Sequence, residues 1–276
     1  MSDYYSVNPV YGTHEEFEEF VHKAGELGIR IMIDLVVDHT SDQHPWFRAA
    51  RKDPRSRYRN YYRWQEEVPT GKVTQNIFQG VEDSTWSYDD LGGGYFYHRF
   101  YHFEPSLNLG NPEVPEEICR IMEYWLSFGI SGFRVDAAAH IIRDTLLLSG
   151  DLTNPHQILA DMRAKMDERV SEGLLLGETD VRLTNLQEYF GSGKELNMLF
   201  NFILNNYAFL ALVEENKEPL DFCLHLLPKI SVDGGWVNFL RNIDELDLER
   251  LSHEQRTKVM DALDPDKKAR IYDRGL

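Results

Sequence analysis

Apolar residues Phe17, Phe20, Val21, Ala24 and Leu27 recur at the spacing of one helical face. Thr13 with Glu16 forms a capping-box signature before them and Gly28 stops the pattern, which predicts a helix from about 14 to 27. The near-continuous apolar run Ile29 to Val37 is too short and too uniformly apolar for an amphipathic helix, and predicts a strand buried on both faces. Helix then parallel strand is the repeat unit of an α/β barrel. From Ser41 to Phe103 the periodicity gives way to Pro, Gly, charged and aromatic residues, including Gly92-Gly93-Gly94 and the ring-rich run Tyr95 to Phe103, as expected of an excursion inserted after a strand. Alternation then returns, with a helix from Asn111-Pro112 to about Phe128, a strand near 130 to 135, a helix near 155 to 170 and a strand near 174 to 177. Further helices are predicted near 184 to 190, 203 to 214 and 220 to 228, and strands near 196 to 201 and 236 to 240. The acidic helices expected near 14 to 19 and 244 to 254 read as solvated faces.

Three of these strand-like segments deliver a carboxylate at or just beyond their ends: Asp136 after Ile130 to Val135, Glu178 after Leu174 to Gly177, and Asp244 after Trp236 to Leu240. Any one of them alone would serve as a helix cap. Three together, with Arg134 two residues before Asp136, point instead to the strand ends where a βα barrel does its chemistry.

Composition narrows the partners. A chain of 276 residues with 42% apolar content can bury a sizeable core as one large soluble unit. A formal net charge of −17 argues against nucleic acid and anionic membranes, which attract clustered Lys and Arg, and is compatible with a neutral small molecule. Two cysteines, Cys119 and Cys223, are too few for a disulfide framework and match no metal spacing. No apolar run is long enough to span a membrane, and the cytoplasm is the expected location.

The words around the acids carry a resemblance. DLVVDHTSDQHPWF (Asp34 to Phe47), EPSLNLGNP (Glu104 to Pro112), GFRVDAAAH (Gly132 to His140), GETD (Gly177 to Asp180) and FLRNIDEL (Phe239 to Leu246) stand in the order of the signature regions of the α-amylase family, glycoside hydrolase family 13. Within it, STWSYDDLGGGYFYHRFYHFEPSLN is most similar to trehalose synthases and related α-glucosidases. The resemblance implies an α/β fold, an incomplete (β/α)8 TIM barrel formed by residues 1–40 and 104–276 and holding its third to seventh strands, with an inserted subdomain at 41–103 after the third strand. Strands one, two and eight are unaccounted for, so the resemblance implies a fragment of a longer barrel.

What the family does then implies roles. Retaining glycoside hydrolysis needs an ionised carboxylate as nucleophile and a protonated carboxylic acid nearby, roles that match Asp136 and Glu178, with Asp244 as the third carboxylate that binds sugar hydroxyls. Arg134 projects to the same side of its strand as Asp136 and is expected to keep it ionised, whereas Glu178, with no cation beside it in the sequence, suits an acid of raised pKa. Arg134, His39, His140 and Asn242 are the expected substrate-binding residues. Four positions depart from the family pattern. Ile243 replaces a histidine that donates to the substrate, Ser106 replaces an aspartate that supports the excursion, Asp38 replaces a calcium-binding asparagine, and Ala138-Ala139-His140 stands where trehalose synthases carry Pro-Tyr. Asp38 is still an oxygen ligand and is the candidate residue for Ca2+; no organic cofactor is implied. Trp46, Phe47, Tyr61, Tyr62, Trp64, Trp86 and Tyr95 to Phe103 could stack on sugar rings, but most are expected to be the core of a small subdomain. The expected function is a retaining α-glucoside-active hydrolase or a trehalose-synthase-like glucosyl transferase acting on short α-glucosides. The alternative is a non-catalytic or truncated carbohydrate-binding homologue, motivated by Ile243 and the unaccounted strands.

Overall fold

A computed structural model describes residues 1–69, 78, 80–148, 154–230, 234–241, 245–271 and 274–276. Contacts divide the chain into two units, Met1–Glu178 with Lys194–Leu196, and Thr179–Gly193 with Asn197–Leu276.

The first unit opens with α1 (His14–Glu26), closed at its N-terminus by the expected reciprocal Thr13–Glu16 box. β1 (Met32–Val36) follows, and then the excursion with α2 (Pro45–Lys52) and strands β2 (Trp64–Gln65), β3 (Trp86–Asp89) and β4 (Gly94–Tyr97). These three form an antiparallel sheet in the order β2-β4-β3. Its rings are indeed core: Phe47 packs on Tyr62, Trp64 and Phe96, and Trp46, Tyr61, Tyr62 and Trp86 are buried. The βα alternation resumes with α3 (Glu113–Leu126), β5 (Gly132–Asp136), α4 (Ala138–Leu148), α5 (Gln157–Arg169) and β6 (Leu174–Gly177). β5 pairs in parallel with β1 on one side and β6 on the other. Ile118, Ile121 and Met122 of α3 and Leu159, Met162 and Met166 of α5 are buried along with Phe133, Val135 and Leu175 of the strands. Gly132 is obligatory here: a Cβ would stand 2.5 Å from the Leu174 carbonyl oxygen and 3.2 Å from Met32 Cε.

Two expectations fail in this unit. The run Ile29 to Val37 is not buried on both faces, since Ile29 is 54% exposed and the Asp34 side chain 59%. Among the described residues of the unit β1 pairs only with β5, so its other side lacks a covering strand. Helix α4 was not foreseen, because Ala138-Ala139-His140 offers no side-chain cap and begins directly after the strand.

The second unit holds a 3-10 segment (Leu183–Gly193), β7 (Met198–Phe200), α6 (Phe202–Glu214), α7 (Glu218–Leu226), β8 (Gly235–Val237) and α8 (His253–Leu263), with β7 and β8 parallel. Asn201 caps α6 by accepting from Leu204 N, and buried Asn206 donates to the carbonyls of Phe202 and Asp247. Leu210, Leu246, Leu248, Leu251, Val259, Met260 and Leu276 form its core. The acidic helix expected near 244 to 254 is displaced to His253–Leu263 and begins at a Ser252–Gln255 capping box. Asp247 and Glu249 lie before it, held by ion pairs to Arg274 and Arg250. Among the described residues no helix is long and apolar enough to cross a membrane.

Candidate active site

Strand register builds the site. In the β1–β5 pairing Asp34 lies opposite Arg134 and Val36 opposite Asp136, while Val135 faces Gly177 in β6, so that Glu178 emerges one residue beyond and donates its N–H to the Val135 carbonyl. Arg134 and Asp136 are two residues apart and share a face of β5. The Arg134 guanidinium ties the three strands together: Nη1 lies 2.8 Å from Asp34 Oδ1 and 2.9 Å from Asp136 Oδ1, and Nη2 lies 2.8 Å from Glu178 Oε1. One cation thus serves three carboxylates.

The expectation that Glu178 lacks a neighbouring cation is therefore overturned, because Arg134 reaches across to β6 as well as along β5. Its acidity is nonetheless weakened. Burial disfavours the charged form, and the negative charge of Asp136 and a side-chain hydrogen bond with it add to the effect. Together these outweigh Arg134 and the Ala137 N–H, which donates to Oε2 at 3.2 Å, and push the Glu178 pKa up to about 7. Arg134 itself is buried enough to disfavour its charge, but Glu178, Asp34 and Asp136 reverse this and bind its proton more firmly than usual.

Ala137, between Asp136 and α4, has φ of 51°, a left-handed conformation that costs an L-residue about 1 kcal/mol or more. The turn it makes aims its N–H at Glu178 and lets its carbonyl accept from His140 N.

His39 follows β1. Its Nδ1 lies 3.4 Å from Asp38 Oδ2 and its Nε2 3.8 Å from Glu104 Oε1. Burial works against a charged imidazole, but Asp38 first and then Glu104 and Asp136 outweigh it, so the His39 pKa is raised. Tyr4 shares its hydroxyl proton between the carbonyls of Val36 and His39, bracing this strand end. Phe100 meets His39 edge-on at 5.4 Å and His140 at 5.3 Å, and His140 Nδ1 lies 3.0 Å from Arg143 Nη2. The structure thus gathers Arg134, Asp136 and Glu178 into direct contact, sets His39 within electrostatic range of Asp136, and links His39 to His140 through Phe100. Asn242, Ile243 and Asp244 lie outside the described residues.

The sequence assigns Asp34 no role and offers Phe100 only as one of the rings of Tyr95 to Phe103 that could stack on sugar. A signal for Asp34 was present: it is the charged residue inside the otherwise apolar run Ile29 to Leu35 apart from Arg30 at its start, and a carboxylate there needs a partner on the next strand. Phe100 is one ring among many in Tyr95 to Phe103, and only the fold separates it from core aromatics.

Asp38 does not fit a calcium ligand set. It is buried, its Oδ2 accepts from Ser106 Oγ at 3.4 Å, and its other carboxylate partner is His39. Calcium takes six to eight oxygens. Among the described residues the group of acids with metal-like spacing is Asp180, Asp247 and Glu249 in the second unit. There Arg250 Nε stands 3.0 Å from Asp180 and Arg274 Nη2 3.1 Å from Asp247, so internal cations already occupy two of its carboxylates.

Parallel strands thus place a carboxylate pair around one arginine at their C-terminal ends. The alpha-amylase catalytic-domain family profile matches residues 1–225, and the chain belongs to that family. It is 36% identical to the trehalose synthase of Pimelobacter sp. (strain R48), covering 98% of this chain and 49% of that protein, and 36% identical to the trehalose synthase of Thermus thermophilus, covering 98% and 28%. In structure it resembles the alpha-amylase from H. orenii, with a TM-score of 0.73, 29% identity, and 97% of this chain and 51% of that one covered. It also resembles the trehalulose synthase MutB from Pseudomonas mesoacidophila MX-45, with a TM-score of 0.71, 27% identity, and 89% and 47% covered. The chain spans about half the length, or less, of the curated relatives it matches.

Proposed function

We propose that this chain carries the nucleophile and the acid/base of a retaining enzyme acting on short α-glucosides, by hydrolysis or by glucosyl transfer. Asp136, paired with Arg134, attacks the anomeric carbon; the glycosidic C–O bond breaks, and the departing oxygen takes the proton of Glu178. The Glu178 carboxylate then removes a proton from water or from an acceptor hydroxyl as that oxygen displaces Asp136, which restores both groups. His39, His140 and Asn242 bind the sugar with Asp244 as the third carboxylate, and Arg134 orients the nucleophile.

The observation that carries this reading is the carboxylate pair held on one arginine, with Glu178 pushed up to about 7 by burial and by the charge of Asp136. A carboxyl group that keeps its proton near neutral pH, set beside a second carboxylate on the same arginine, suits the acid of a retaining pair. The trehalose synthase and trehalulose synthase relatives support short α-glucosides as the substrate class. The excursion at 41–103, with its own antiparallel sheet, is read as an inserted subdomain that supplies Phe100 to the sugar site. The test is Asp136→Asn, assayed on an aryl α-glucoside. Removal of a covalent nucleophile should abolish turnover by several orders of magnitude, and retention of more than about a tenth of the parent rate overturns the assignment.

A further inference from the structure

Between the excursion and α4 lies a buried charge cluster that the proposed chemistry does not use. Arg99 follows β4, and its side chain is 1% exposed. Its Nη2 lies 3.1 Å from Asp144 Oδ1 on α4, the helix that begins two residues after Asp136. Tyr97 OH donates to the other Asp144 oxygen at 2.7 Å, and Arg143 Nε approaches at 3.6 Å. The backbone N–H of Arg99 donates to Ser106 Oγ at 2.9 Å, and that hydroxyl donates to Asp38 Oδ2. Asp38 returns the connection, since its carbonyl accepts from Leu107 N, and His39 bridges Ser106 through its backbone.

This is the place where the family resemblance puts a calcium ligand, Asp38, and where the acid expected at 106 is Ser106. The carboxylates there, Asp38 and Asp144, feel each other's charge, and Arg99 and Arg63 offset it. Among the described residues Arg99 Nε and Nη1 are buried and meet no hydrogen-bond acceptor, so the guanidinium is not saturated by its single carboxylate. Positive charge is already supplied from within the chain, and a divalent ion would add to it beside a buried guanidinium.

We propose that the Arg99 guanidinium does at this junction the bridging that a divalent cation would do, so that Arg99 and Asp144 are positioning residues that hold His39 and Phe100 against α4 without calcium. The path is short: Arg99 precedes Phe100, Phe100 touches both His39 and His140, and His140 stands one helical turn from Asp144 on α4. In the assays of turnover this rests on the function proposed above; the calcium assays do not depend on it.

The protein should melt at the same temperature in excess EDTA and in millimolar calcium, and calorimetric titration with calcium should give no binding heat. A lower melting temperature in EDTA that calcium restores, or saturable calcium binding lost in Asp38→Ala, overturns the proposal. Arg99→Met should lower the melting temperature and reduce kcat about tenfold or more on an aryl α-glucoside with KM little changed, because catalytic groups misplaced by about an ångström lose rate. Arg99→Lys should recover part of the kcat. The double substitution Arg99→Met with Asp144→Leu removes both charges and should recover melting temperature while kcat stays depressed. Full recovery of kcat in the double variant would reduce the pair to packing and overturn its positioning role. An inactive parent would refute the proposed function and leave the calcium titration and the melts to decide this proposal.

Discussion

Arg134 and Arg99 meet carboxylates in opposite circumstances. Arg134 is 27% exposed and shared by three acids on three strands, whereas Arg99 is 1% exposed, pairs with one acid and leaves two of its nitrogens without acceptors among the described residues. At the first site negative charge exceeds positive charge and one acid keeps its proton to about pH 7. At the second, Arg99, Arg63 and Arg143 face Asp144 and Asp38, Arg99 and Asp144 are closed off from water, and burial still pushes Asp144 up to about 6. An arginine among carboxylates is therefore no mark of a reactive centre by itself. What distinguishes the two is the shortage of positive charge and the access a substrate would need.

The sharpest way to break this contrast is Arg134→Met. It leaves Asp34, Asp136 and Glu178 without their shared cation and should lower kcat/KM by up to about a thousandfold, comparable to loss of a preorganised electrostatic partner. The melting temperature should fall less than in Arg99→Met, because the Arg134 side chain is 27% exposed and that of Arg99 1%. A fall in melting temperature as large as that of Arg99→Met, with rate nearly kept, would make Arg134 the structural arginine.

Ile243→His tests whether the acid-rich site lacks a neutral donor as well. Restoring the family's histidine should raise turnover by up to about a hundredfold. A loss on maltose, trehalose, sucrose and an aryl α-glucoside alike would show that Ile243 belongs to a reshaped pocket.

The pH dependence is the gentlest probe. Glu178 must hold its proton to act as an acid, so kcat/KM should fall about tenfold per pH unit once the pH passes about 7. The same shift links to stability. Glu178 binds its proton more tightly folded than unfolded, so its contribution is full below the ordinary carboxyl range near 4.5 and is lost as the pH rises through about 7. An alkaline limb unchanged in Glu178→Gln would assign that limb to another group.

Much of this was legible in the sequence. Asp136 and Glu178 stand at strand ends that period and composition locate, and β6 was placed at its observed limits, Leu174–Gly177. What escaped were relations between segments. The Arg134 contact with Glu178 depends on the register of β5 against β6, which no single segment encodes. Asp34 was submerged in an apolar run whose partner strand leaves one side uncovered. Helix α4 starts without a cap because the turn before it is made by backbone conformation at Ala137, and α8 lies C-terminal to its expected position because Asp247 and Glu249 are engaged by arginines.

The left-handed turn at Ala137 sets a narrow substitution rule for the residue after Asp136. Glycine adopts that conformation freely and asparagine tolerates it, whereas valine, isoleucine and threonine resist it. A position that looks like an interchangeable small residue in GFRVDAAAH is thus constrained by handedness rather than by volume. Its neighbours Ala138 and Ala139, which lie in a regular helix, are limited by the space around them instead.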